Sequence, residues 1–142
     1  MTIPTQNVDT VRFIKGPTIL LSTGAYFDYG DPENSAFTIE DIANGLAMTC
    51  RFGGQCRRHY SVAQHSWHMS YVVPPQDALA ALMHDAAEAF VGDLPKPLKV
   101  LLPEYKSIEI RIENAIFDRF RIARPLPASI KEADVRMLVT EQ

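Results

Sequence analysis

The stretch ALAALMHDAAEAFVGDLPKPLK, residues 78–99, decides the fold because its first part describes a helix that is apolar on nearly every side. Such a helix is normally buried among other elements, which favours a bundle of helices. His84, Asp85 and Glu88 interrupt this apolar surface, and at helical spacing they share one face with Ala81. Because an unpaired buried carboxylate costs several kcal/mol, these groups require a cationic partner.

Capping signals and prolines place the other helices. Thr38 with Asp41, and Ser61 with Gln64, resemble capping boxes that open helices. Gly92 is expected to end the central helix. The sequence therefore predicts helices over about 38–48, from 61 to just before Pro74, over 76–91, over 104–120, and from about 128 onward.

Residues 10–24 contain a β-prone run, 18–21, between turn signals, and this run predicts a strand or a hairpin arm. On the helix over 104–120, the spacing of Ile108, Ile112 and Ile116 predicts a core-facing stripe with Glu109 on another face. We therefore expect an all-α fold with a short irregular or β-containing N-terminal segment.

Bulk composition restricts the class of protein. The chain has 142 residues, which suits one domain over 1–142, with an N-terminal extension at 1–37 and a helical core at 38–142. Apolar runs are too short to span a bilayer, and a net charge of -3 predicts no stable nucleic-acid binding. Residues 1–10 lack the pattern of a secretory signal, and two cysteines suit free thiols, so we expect a cytoplasmic protein.

A second acidic residue breaks an apolar stripe on the last predicted helix, where Asp134 shares a side with Ile130, Ala133, Met137 and Leu138. Adjacent imidazole and carboxylate donors suit a divalent cation such as Mn, Fe, Co, Ni or Zn. Two helices that each bury a carboxylate therefore predict a cation between them.

The missing ligand is expected to be another histidine. His65 is the natural candidate because it follows a capped helix start, but the pattern alone does not choose it over His68 or His59. For His68, a packed or hydrogen-bonded side chain is the better expectation.

Four ordered motifs resemble the HD-domain phosphohydrolases, and in particular their small bacterial and phage 5'-deoxynucleotidase branch. The resemblance covers about residues 38–142 and implies an HD-domain helical bundle. The motifs are SVAQHS at 61–66, MHDAAEAFVGDLPKPLK at 83–99, EYKSIE at 104–109 and KEAD at 131–134.

The resemblance implies that His65, His84, Asp85 and Asp134 are the ligands of a divalent metal ion. This ligand set agrees with the argument from buried charge. Glu88 matches the glutamate that positions or deprotonates the attacking water in this branch.

Further residues match positions near the substrate. Asp93, in the GDLP turn, corresponds to an acid close to the substrate. Arg51 and Phe52 resemble an Arg-aromatic pair that contacts phosphate and base. Lys99 and Lys131 are candidate phosphate contacts.

Two structural alternatives compete with this interpretation. His84, Asp85 and Glu88 could instead form a buried ion-pair network with Arg57, Arg58 or Arg111. A structural zinc site could use Cys50, Cys56, His59 and His65, although the separation of the two cysteines is atypical for such a site.

The activity implied by the resemblance is metal-assisted hydrolysis of a deoxynucleoside monophosphate to deoxynucleoside and phosphate. The alternative is a deoxynucleoside triphosphate triphosphohydrolase of the phage type, which a mouth carrying Lys96, Lys99, Lys106 and Lys131 would favour. A catalytically silent nucleotide-sensing or interaction module is the alternative of another class. Retention of all the implied ligands and of Glu88 argues against it.

Related proteins commonly continue with a further helix beyond the residue that corresponds to Asp134. We therefore expect one wall of the pocket to come from such a tail or from a partner subunit of a homo-oligomer.

Overall fold

A computed structural model describes residues 16–141 as a mostly helical fold with a two-stranded sheet near its N-terminal end. This confirms the predicted fold class. The part of the predicted hairpin arm before residue 16, and the expected lack of a secretory signal in 1–10, lie outside the described residues. The strands are β1 (Thr18–Leu20) and β2 (Tyr26–Asp28). The helices are α1 (Ile39–Met48), α2 (Val62–Val72), α3 (Ala78–Met83), α4 (Glu88–Val91), α5 (Lys96–Lys99), α6 (Pro103–Arg119) and α7 (Ala128–Glu141).

The two strands pair antiparallel with Ile19 opposite Phe27. Phe27 is fully buried and stacks on Phe90 of α4, with ring centroids 4.1 Å apart and planes inclined by 4°. Phe37 packs against the same ring at 5.5 Å. The hairpin is thereby fixed to the helical core by aromatic packing.

Both predicted capping boxes are confirmed. The Thr38 hydroxyl accepts from the Asp41 amide and the Asp41 carboxylate accepts from the Thr38 amide, which opens α1. Ser61 and Gln64 make the same pair of bonds at the start of α2. These bonds satisfy amides that a helix start leaves without partners.

The predicted continuous helix over 76–91 is wrong in its middle. Between α3 and α4 the backbone tightens to bonds from residue i+3, such as Ala86 N–H to Met83 O at 3.0 Å and Glu88 N–H to Asp85 O at 3.0 Å. The His84 ring provides the physical reason, because its Nδ1 bonds the Ala81 carbonyl that would accept an amide in a regular helix. Two of the predicted site residues thus lie in a tightened turn.

The remaining helices lie close to their predicted positions. α6 and α7 begin within a residue of the predicted starts at 104 and 128. Short helix α5 was not predicted, and Pro97 is tolerated there because it occupies the first turn. Within residues 16–141, no helix is both long and apolar enough to cross a membrane.

Two apolar clusters set the positions of the helices. The larger one surrounds Ile42, Ile112 and Ile116. The second joins α2, α3 and α7. It therefore holds the last helix against the two elements that precede the tightened turn. Its buried members are Met69, Val73, Ala81, Ile130 and Ala133.

Candidate metal centre

The four residues implied as metal ligands meet where three parts of the chain converge. His65 lies on α2, His84 and Asp85 lie in the tightened turn, and Asp134 lies on α7. His65 Nε2 lies 3.0 Å from Asp134 Oδ1 and 3.8 Å from Asp85 Oδ2. His84 Nε2 lies 3.0 Å from Asp85 Oδ2 and 3.9 Å from Asp134 Oδ1. Ligand atoms of His65, His84 and Asp134 all lie within 4.8 Å of one another, close enough for one cation.

Both imidazoles are held through Nδ1. His84 Nδ1 lies 2.6 Å from the Ala81 carbonyl oxygen, which only accepts, so this nitrogen carries the proton. His65 Nδ1 lies 2.9 Å and 3.2 Å from the carboxylate oxygens of Glu141, which favours the same tautomer. Each Nε2 is buried, and within residues 16–141 neither has a hydrogen-bond partner. Rings fixed at Nδ1 with an available Nε2 are typical of metal-ligating histidines, so these residues fit a divalent cation.

The charges around the site also favour a cation. Burial raises the pKa of Asp85, but the His84 and His65 rings lower it more, and the net shift is downward. The adjacent His65 imidazole outweighs burial and lowers the pKa of Asp134. Burial lowers the pKa of His84, whereas the charge of Asp85 raises it and prevails. The carboxylates are thus ionised and attract positive charge. A metal ion and protons compete for the same ligand atoms.

Glu88 and Asp93 are two further acidic residues, and both interact electrostatically with Asp85. Glu88 is 8% exposed, and its Oε2 atom has no hydrogen-bond partner in the described part of the chain. Burial, and then the charges of Asp85 and Asp93, raise the pKa of Glu88 to about 10. Burial likewise raises the pKa of Asp93. Carboxyl groups with raised pKa beside a cation site are suited to proton exchange.

Glu109 corrects the predicted orientation of α6. It is 7% exposed, whereas Ile108, expected to face the core, is 45% exposed. Lys99 from α5 explains this burial, because its Nζ lies 3.0 Å from Glu109 Oε2. The sequence signal was present, since Glu109 precedes Ile112 and Ile116 by three and seven residues on one helical face.

Arg51 is connected to the candidate metal centre through Glu141, which was not among the predicted site residues. Arg51 is buried, and its Nη2 lies 3.3 Å from Glu141 Oε1. Its guanidinium lies 4.8 Å from the Phe52 ring centroid. Glu141 follows Asp134 by two helical turns, and this i, i+7 spacing is the signal that could have identified it.

The four lysines that would mark a triphosphate site do not share one environment. Lys99 and Lys106 both face Glu109, at 3.0 Å and 3.8 Å. Lys96 and Lys131 are exposed. Among the predicted phosphate contacts, Arg51 and Lys99 are electrostatically coupled to Asp85.

Neither structural alternative accounts for the cluster. Arg57 and Arg58 are exposed, and Arg111 binds Glu33, with Nε 2.9 Å from Oε1. His59 contacts the Ala47 carbonyl at 3.2 Å, and His65 belongs to the cluster already described. The two cysteines are free, as expected. His68 is exposed and packs between the rings of Tyr60 and Trp67.

An open groove of about 1180 Å³ reaches this region at Phe52 and Glu141. Aromatic side chains of Tyr60, His68 and Tyr71 line its length. Such rings offer flat faces on which a planar group can stack.

Comparison with known proteins places the chain in a family. It is 42% identical over 120 residues to the uncharacterized protein YfdR of Escherichia coli, a match that covers 84% of this chain and 67% of that protein. The chain therefore belongs to the YfdR family. It spans about two thirds of the length of the curated relatives that match most of it.

Shorter segments match two named enzymes. A 5'-deoxynucleotidase of Pasteurella multocida is 34% identical over 55 residues, or 39% of this chain and 28% of that enzyme. A 5'-deoxynucleotidase of Vibrio cholerae is 43% identical over 49 residues, or 32% of this chain and 25% of that enzyme. No family model matches the chain.

Proposed function

We propose that this member of the YfdR family is a divalent-cation-dependent nucleotide phosphohydrolase that acts as a 5'-deoxynucleotidase. One observation carries the proposal: two imidazoles, each held through Nδ1, direct toward Asp85 and Asp134 buried Nε2 atoms that have no hydrogen-bond partner among residues 16–141. The partial likeness to two 5'-deoxynucleotidases supports the choice of substrate class.

His65, His84, Asp85 and Asp134 would hold the cation, for which Mn, Co, Fe, Ni and Zn are all chemically suitable. When bound, the cation supplies a Lewis acid that neutralises phosphate charge and acidifies water. Binding it through the two Nε2 atoms would relieve buried nitrogens of their missing partners.

Glu88 is the proposed acid–base group. It is buried beside Asp85, and a bound cation would offset the neighbouring carboxylates, lower the pKa of Glu88 and let its carboxylate accept the proton of the attacking water. Asp93, whose pKa is also raised by burial, is the proposed second acid near the leaving oxygen.

Arg51 and Lys99 are the proposed phosphate-binding residues, because their charges act on Asp85 and therefore reach the reacting region. Lys131 is exposed one turn before Asp134 and is proposed to contact phosphate from the outer edge. Phe52, at the start of the aromatic groove, is proposed to pack against the nucleoside. The single domain over 1–142, the cytoplasmic location and the homo-oligomer remain predictions.

The test is phosphate and polyphosphate release from deoxynucleoside mono- and triphosphates with added Mn or Co. We expect phosphate release from monophosphates. We expect Asp85→Asn and Glu88→Gln each to lose about 10²-fold or more of the rate, the range for a positioned acid–base or charge-stabilising group. Asp118→Asn, an exposed change at a residue paired with Arg124, is the matched control and should keep full activity.

Two other outcomes would replace the proposal. Release of polyphosphate from triphosphates alone would identify a triphosphohydrolase. No release from any nucleotide, with the cation shown to be bound, would favour the nucleotide-sensing module.

A further inference from the structure

Cys50 and Cys56 lie side by side outside the candidate metal centre. Their Sγ atoms are 3.3 Å apart, and both side chains are partly buried. Cys56 Sγ–H also donates to the Arg51 carbonyl at 3.3 Å. Because the sequence contains only two cysteines, each thiol has the other as its sole intramolecular thiol partner.

The backbone places the two cysteines side by side. Cys50 forms a β-bridge with Ser61, flanked by a bond from Arg51 N–H to Tyr60 O at 2.8 Å. Cys56 follows a turn in which Phe52, Gly53 and Gly54 have φ values of 59°, 61° and 81°. Glycine adopts such left-handed angles without strain, and a Cβ added at Gly54 would meet nothing within 4 Å. The left-handed turn therefore brings Cys56 back beside Cys50, with the two sulfurs 3.3 Å apart.

We propose that Cys50 and Cys56 form a modification site at which a peroxide converts the two thiols into a reversible disulfide. One thiol loses its proton, the thiolate attacks hydrogen peroxide, and the O–O bond breaks to leave a sulfenic acid and a hydroxide that takes up the released proton to form water. The second thiol then attacks that sulfur, an S–S bond forms, the S–O bond breaks, and a second water leaves. Two thiols are oxidised as one peroxide is reduced.

The position of the pair gives the disulfide a structural consequence. Ring closure would enclose Arg51 and Phe52, and it would remove the thiol hydrogen that Cys56 donates to the Arg51 carbonyl. The Arg51 side chain contacts Glu141, which in turn holds His65. Oxidation would thus act on the segment next to the candidate metal centre.

The experiment treats the full chain with hydrogen peroxide and measures intact mass, free thiols and the cross-linked peptide. We expect a monomer lighter by two hydrogens, loss of both free thiols, a peptide that joins Cys50 to Cys56, and recovery by a dithiol reductant. Cys50→Ser and Cys56→Ser leave a single thiol, so these variants should instead accumulate a sulfenic acid that a carbon acid reagent traps.

The contribution of the fold is measured by repeating the oxidation on the chain unfolded in urea. If the fold positions the pair, the folded chain should close the disulfide at least about tenfold faster than the unfolded chain, as expected for pre-oriented reacting groups. Equal rates in the two states would overturn the proposal. It would also fail if the folded chain gave only disulfide-linked dimers, or further oxidised monomers without the Cys50–Cys56 peptide. None of these measurements depends on enzymatic activity.

Discussion

Replacing Glu88 with Gln should stabilise the metal-free protein. The folded pKa of Glu88, about 10, lies above its ordinary value of 4.5, because burial and neighbouring carboxylates disfavour its charge. The folded state therefore retains a proton that the unfolded state releases, and stability falls as pH rises from about 4.5 toward 10. Between pH 4.5 and pH 7.5 the free energy of unfolding therefore falls by about 4 kcal/mol, at about 1.36 kcal/mol for each pH unit. The Gln variant carries no such penalty.

The assay is urea unfolding of both proteins in a chelator between pH 5 and 8.5. We expect the variant to exceed the wild type by about 1 kcal/mol at pH 5 and by about 4 kcal/mol at pH 7.5. Glu132→Gln, an exposed change on α7, should show no such widening. A difference between Glu88→Gln and wild type that stays constant across this range would refute the argument that a buried, proton-holding carboxyl lies beside the site.

Three further perturbations test the packing and the site. Gly45→Ala should destabilise the fold by about 1–3 kcal/mol in urea unfolding, since its Cβ would lie 2.9 Å from the Ala89 carbonyl oxygen. Asp41→Ala should cost about 1–2 kcal/mol at pH 7 by thermal unfolding. Hydrogen bonds overcome burial to lower the pKa of Asp41, so this difference should shrink as pH falls below about 4. Glu141→Gln should weaken cation binding 10–100-fold by titration calorimetry, because it loosens His65.

Local signals in the sequence were sufficient for most helix boundaries. The boxes at Thr38 and Ser61 use residues three apart, so the sequence contains the whole interaction. The tightened turn is different, because it depends on a hydrogen bond between the His84 ring and the Ala81 carbonyl. The residue types alone do not predict that bond. Helical periodicity assumes regular backbone and therefore extended the central helix through this turn.

The site was predictable where charge interrupts an apolar face. Asp85 and Asp134 could be selected because each interrupts an apolar face, and the structure brings both to the same two imidazoles, with Asp134 half-exposed. Glu109 was assigned to the wrong face because the apolar stripe was started at Ile108, although Glu109 has the same helical spacing to Ile112 and Ile116. Its partner Lys99 comes from the short helix α5, and periodicity within α6 contains no information on that pairing.

Arg51 and Lys99, whose charges act on Asp85, are each paired with a carboxylate, and this bears on the substrate. Arg51 faces Glu141, and Lys99 faces Glu109, so a phosphate group must draw each of them away from a carboxylate. A phosphate monoester carries about −1.5 to −2 charge near pH 7, which two cations and a bound metal ion can balance. A triphosphate carries more negative charge and would need a further cation, such as the exposed Lys96, to turn inward from solvent. The charge available at the site therefore supports a monophosphate as the proposed substrate.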